Sequence, residues 1–238
     1  MTSAYDALFL DADDTILDYP AAERAAFTAT VAAFGLPAGD LCYHAYRKHN
    51  SAVWSAFEQG GISADALKVE RFRRLLEECG VHDGDPAAMS AHYLEVLAEQ
   101  THMLPGAEPA LRVLAQNWPL VLVTNGLSAV QRRRFALSGI DRHFRMILIS
   151  EELGIAKPDP AIFAPAMDAL GLDVSRVLFI GDSVSSDMPA AANAGMDFCW
   201  INPDRLDHPE SFSPRYIIGS LADLPDLLQR QAVTNDKG

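Results

Sequence analysis

The sequence predicts an α/β protein, a parallel sheet covered by helices, with an all-helical insert placed after its first strand. Three observations predict it. Short apolar runs alternate with helix-period segments through the C-terminal half. One apolar run, Ala7-Leu8-Phe9-Leu10, stands alone at the N-terminus, and the long stretch separating it from the others reads as helix throughout.

Taken in order, Ala7–Leu10 is the first strand, and it runs straight into Asp11, Asp13 and Asp14. The segments "AAERAAFTATVAAFG", "YHAYRKHNSAVWSAFEQGG", "SADALKVERFRRLLEECG" and "PAAMSAHYLEVLAEQ" follow, each with apolar residues at three- and four-residue spacing. Residues 19–103 are therefore predicted to form a helical domain inserted into a core made of 1–18 and 104–238. Strands are predicted over 119–125, 144–150, 176–182, 196–202 and 215–220, with helical segments between them that end near glycines. Pro165 is a local conflict, because it falls inside one of those helical segments. The final "QAVTNDKG" reads as a frayed tail.

Composition narrows the function. The chain has 238 residues and a formal charge of −13, from 32 acidic and 19 basic side chains. That balance argues against a nucleic-acid or anionic-membrane partner, and it obliges any phosphate site to supply its own positive charge. Three widely spaced cysteines lack zinc-like spacing and suit a reducing compartment. No leader-like segment and no apolar run of membrane-spanning length is present, so a cytoplasmic protein, monomer or homodimer, is expected.

Ligands of a doubly wound sheet bind beyond the carboxyl ends of its strands. There the sequence places Asp11 and Asp13 after the first strand, Thr124-Asn125-Gly126 after the second and Gly181-Asp182-Ser183 after the fourth, with Asp187 and a loop lysine, Lys157, nearby. Each alone reads as turn chemistry, a helix cap or a surface charge. Their convergence changes that reading. Three carboxylates within four residues are costly unless a cation or a bound proton compensates them.

The set "DADDT", Thr124, "KPDP" and "GDSVSSD" resembles the four motifs of the haloacid dehalogenase-like (HAD) phosphatases, and the resemblance covers essentially the whole chain. It implies a Rossmann-like core with a C1-type cap and a Mg²⁺-dependent hydrolysis through an aspartyl-phosphate. Asp11 would be the nucleophile and Asp13 the general acid and base. Thr124 and Lys157 would hold the transferring phosphoryl oxygens, with Thr15 and Asn125 also on the substrate side. Asp11, the main-chain carbonyl of Asp13, Asp182 and, less directly, Asp187 would hold the metal. Asp14 is read as a solvated turn residue.

The stretch "HNSAVWSAFEQGGISADALKVERF" is similar to the cap of the pyrimidine 5′-nucleotidases of that superfamily. This implies a nucleoside 5′-monophosphate as the small phosphorylated substrate. Trp54, Phe57, Arg71 and Phe72 are the candidates to meet its leaving group, against a reading in which Trp54 and Phe57 are bundle core. The alternatives are a phosphatase for a sugar phosphate or phosphoglycolate, and an inactive binding protein on the same fold.

Overall fold

A computed structural model of the chain describes residues 4–210 and 212–235. The chain divides into two compact units, one of residues 1–18, 102–128 and 138–238, the other of 19–101 and 129–137. Residues 129–137, expected with the core, fall instead with the helical unit.

The first unit is built on a six-stranded sheet, all parallel, in the order β3-β2-β1-β4-β5-β6. Its strands are β1 (Ala7–Leu10), β2 (Leu120–Thr124), β3 (Met146–Ile149), β4 (Val177–Gly181), β5 (Asp197–Ile201) and β6 (Tyr216–Ile218). Each lies within the run predicted for it. The central strands are buried at every position and apolar but for Thr124 at the end of β2, because both faces of a parallel sheet are covered. Ala7, Phe9, Val121, Val123, Val177, Phe179, Phe198 and Trp200 share one core cluster. Alternation sends Leu8, Leu10, Leu122 and Ile180 to the other side. Fully burying each large side chain contributes about 1.5–3 kcal/mol.

The helical unit contains α1 (Tyr19–Ala33), α2 (Asp40–Glu58), α3 (Ala64–Glu78) and α4 (Pro86–Ala98), with α1 packed on α4, α2 on α3, and α3 on α4. Ser63 caps α3 by accepting from the Ala66 amide at 3.2 Å. Asp85 caps α4, accepting from Ala87 and Ala88, with Pro86 in the first turn. Its core is aromatic: Tyr46 lies 4.9 Å from Phe27, 5.5 Å from Phe72 and 5.6 Å from Tyr93, ring centre to ring centre.

The remaining helices are α5 (Ala107–Asn117), α6 (Ser128–Ser138), α7 (Ser150–Leu153), α8 (Ala164–Leu170), α9 (Asp187–Ala194) and α10 (Leu224–Asn235). Pro165 no longer conflicts with its surroundings. A 3₁₀ turn over Pro160–Phe163 precedes α8, which places the proline in the first turn, where its missing N–H costs nothing. The tail expected from Gln231 is helical as far as Asn235, and residues 236–238 lie outside those described. No helix among the described residues is long and apolar enough to cross a membrane.

Candidate active site

The site forms where β1, β2 and β4 end side by side in the first unit. Asp11 follows β1 directly, and its N–H donates to the Ile180 carbonyl at 2.9 Å, so the carboxylate leaves from a backbone still hydrogen-bonded to β4. The chain then turns back on itself, with the amides of Ile16 and Leu17 both donating to the Ala12 carbonyl. That turn sets Asp14 at φ +58°, a left-handed conformation that Asp tolerates better than most residues. Asp13 is half-buried in the turn, and Thr15 is buried, its hydroxyl 3.5 Å from Asp182 Oδ1.

Lys157 is the centre of charge. It is 1% exposed, and its Nζ donates to Asp11 Oδ1 at 2.5 Å and to the Val123 carbonyl at 2.9 Å, with Asp187 Oδ1 at 2.7 Å. Burial disfavours its charge, yet the two carboxylates outweigh burial and raise its pKa. Asn125 fixes the lysine's backbone: its amide donates to the Lys157 carbonyl and accepts from the Lys157 N–H, both at 2.8 Å.

Oxygens of Asp11, Asp182 and Asp187 lie within 4.8 Å of one another. Burial, reinforced by Asp187 and Asp13 against the pull of Lys157, pushes Asp11 up to about 8. Burial together with Asp187, Asp11 and Asp14 pushes Asp182 up to about 9. One lysine therefore leaves this carboxylate group short of positive charge. An all-oxygen donor set carrying that deficit fits a hard divalent cation such as Mg²⁺.

Gly181 is a residue whose role motif spacing alone did not suggest. A Cβ there would come within 2.7 Å of Asp187 Cγ and 2.9 Å of its Cβ, so only glycine lets Asp187 lie against the end of β4. Asp187 is then held by the Ser183 amide, which donates to its Oδ2 at 3.1 Å. The signal in the sequence was the glycine directly before Asp182.

Thr124 ends β2 and is buried beside this group of strand ends. The structure thus brings together Asp11, Asp13, Thr15, Thr124, Asn125, Lys157, Asp182 and Asp187. Trp54 and Arg71 belong to the helical unit. Trp54 is half-buried, its ring edge-to-face with Phe57 at 5.7 Å. Arg71, expected to meet substrate, is 1% exposed: its Nη1 donates to Asn50 Oδ1 at 3.1 Å, Asn50 donates to Glu23 Oε1 at 2.8 Å, and its Cζ lies 4.6 Å from the centre of the Tyr93 ring. A long cation is accommodated in a helical core here because an amide, a buried carboxylate and an aromatic face surround it.

Residues 5–195 match the family model of haloacid dehalogenase-like hydrolases. The chain belongs to the haloacid dehalogenase-like hydrolase family. Within it, the chain is 33% identical to the HAD-hydrolase YfnB of Bacillus subtilis over 94% of this chain and 95% of that one. It is 32% identical to the pyrimidine 5′-nucleotidase YjjG of Escherichia coli over 94% and 98%. The crystal structure of YfnB bound to magnesium superposes with a TM-score of 0.87 over 94% of this chain and 98% of that one. Membership in a hydrolase family accords with the buried carboxylate–lysine group at the strand ends.

Proposed function

We propose that this hydrolase is a Mg²⁺-dependent phosphatase whose substrates are nucleoside 5′-monophosphates, pyrimidine nucleotides foremost. The observation that carries the reading is the position of Asp11. It is a buried carboxylate at a strand end, paired with Lys157 and followed two residues later by a second carboxylate, Asp13.

Asp11 would attack phosphorus, forming an acyl-phosphate and breaking the bond to the leaving oxygen. Asp13 would give that oxygen a proton and then take one from the water that cleaves the acyl-phosphate. Lys157 keeps Asp11 ionised for the attack, which its burial opposes. Lys157 and Thr124 would also offset charge on the phosphoryl oxygens. Asp11, Asp182 and the Asp13 carbonyl would hold Mg²⁺, with Asp187 supporting from behind Lys157, and the ion would supply charge neutralisation for an anionic substrate. Both amide atoms of Asn125 are engaged by the Lys157 backbone, so we assign it to positioning that lysine rather than to substrate contact.

The nucleotide preference is supported by similarity along nearly the whole chain to the pyrimidine 5′-nucleotidases YjjG of Escherichia coli and PynA of Streptococcus pneumoniae. Trp54, half-buried and aromatic, is our candidate to stack on a base. Arg71, enclosed among Asn50 and the tyrosines, is assigned to holding the helical unit together. A panel of phosphate monoesters assayed with Mg²⁺ tests the reading. Pyrimidine nucleoside monophosphates should show the highest kcat/KM. Equal or lower values than those for sugar phosphates, phosphoglycolate or an aryl phosphate would overturn the substrate assignment, and activity undiminished by chelation would overturn the metal-dependent scheme.

A further inference from the structure

Two of the three cysteines, far apart in the sequence, meet in the helical unit. Helices α2 and α3 pack against each other, and their register is marked by the Arg71–Asn50 hydrogen bond. Moving eight residues back along α2 from Asn50 reaches Cys42, and moving eight forward along α3 from Arg71 reaches Cys79. Antiparallel helices keep such positions opposed, because each residue advances both by the same rise. The register agrees with the electrostatics of Cys42, in which Cys79 is the one side chain that acts on the thiol besides burial. Cys42 is buried, and Cys79, at the C-terminal cap of α3, is exposed.

We propose that Cys42 and Cys79 are a reversible dithiol–disulfide pair, oxidised by low-molecular-weight disulfides and closing a covalent link between the start of α2 and the end of α3. The order of events follows from exposure. Cys79, open to solvent, loses its proton and attacks one sulfur of the small disulfide, forming a mixed disulfide and releasing one thiolate. Cys42 then gives its proton to solvent and attacks the Cys79 sulfur, breaking the mixed disulfide and releasing the second thiolate. The two protein thiols lose two electrons, and the small disulfide becomes two thiols. Burial pushes the Cys42 thiol up to about 11, with Cys79 adding to the rise, so Cys42 acts second and only on a partner already beside it. Cys199 is buried in β5 and takes no part.

The test is to incubate the purified protein with oxidised glutathione and to follow intact mass and digested peptides. The expected product is lighter by about 2 Da, the two hydrogens lost on oxidation. It should contain a Cys42–Cys79 cross-linked peptide and return to the starting mass with dithiothreitol. Cys42→Ala should stop at a glutathione adduct on Cys79, and Cys79→Ser should not react under the same conditions. Wild-type protein that accumulates the Cys79 adduct without the cross-link, or that links either cysteine to a second molecule instead, would overturn the proposal. The wild-type measurement stands by itself if either variant fails to fold.

Discussion

Replacing Asp182 by Asn should make the metal-free protein more stable while removing its response to Mg²⁺. Burial, reinforced by Asp187, Asp11 and Asp14, pushes the pKa of Asp182 from 3.8 to about 9. A carboxyl whose folded pKa lies above its unfolded value binds its proton more tightly when folded. Its contribution to stability is therefore complete below about pH 4 and is lost as pH rises towards 9. Each unit of difference corresponds to about 1.4 kcal/mol. Between pH 4 and pH 8 the chelated wild type should thus lose roughly 5 kcal/mol through this group at most, since neighbouring carboxylates share protons and spread the effect. Asparagine keeps the shape, needs no proton and removes one of the repelling charges. Urea unfolding followed by tryptophan fluorescence, at pH 5 and pH 8, with chelator or with excess Mg²⁺, reads both effects. The chelated variant should exceed chelated wild type by a few kcal/mol at pH 8, with little difference at pH 5. Mg²⁺ should stabilise the wild type strongly and the variant weakly. A variant no more stable than wild type at pH 8 under chelation, or one gaining equally from Mg²⁺, would refute the reasoning.

Asp11→Asn should reduce turnover to below about one per cent, a barrier increase above roughly 3 kcal/mol, with circular dichroism unchanged; substantial steady-state activity would remove Asp11 as nucleophile. Gly181→Ala should displace Asp187 from the end of β4, lowering kcat by about ten- to a hundredfold through the loss of support to Lys157. It should also cost about 1–3 kcal/mol by overpacking, and a wild-type kcat and melting temperature would show that Asp187 yields without consequence. Arg71→Met should destabilise the protein by about 3 kcal/mol, because Glu23 and Asn50 lose a buried cation. The folded remainder should lose kcat/KM equally on a pyrimidine nucleotide and on an aryl phosphate, whereas a loss confined to the nucleotide would return Arg71 to the substrate side.

What was legible in the sequence was local. The strands could be read because burial on both faces makes them continuous apolar runs, and Asp11, Thr124 and Asp182 because each sits within a residue of such a run's end. Features that depend on distant partners could not be read in this way. Arg71 carried the signature of an exposed functional cation, and its burial becomes intelligible only once Asn50, Glu23 and Tyr93 are seen around it. Asn125 stands at a strand end like a ligand-binding residue, but its amide is engaged by the backbone of Lys157. The left-handed backbone of Asp14 follows from the turn over Ala12–Leu17, which no spacing rule announces. The odd number of cysteines concealed a pair, because helix register, not sequence distance, brings Cys42 to Cys79. Residues 129–137 have helix periodicity with nothing local to say which unit they join.

The place of β1 between β2 and β4 has a consequence for how the chain comes off the ribosome. Leu8 pairs with Leu120, and Ala7 with Val177, so neither edge of the strand that leads to the nucleophile can be satisfied until most of the chain has been made. The packings of α1 on α4, α2 on α3 and α3 on α4 all lie within the insert, so these helices can meet while Ala7–Leu10 is still an unpaired apolar strand. Closing so long a loop is slow, and its slowness is borne by the segment most apt to pair with another chain. Conditions that stall synthesis between the insert and β2 would therefore leave a nascent chain with packed insert helices and an exposed, aggregation-prone start, and demand for chaperones should be greatest at that length.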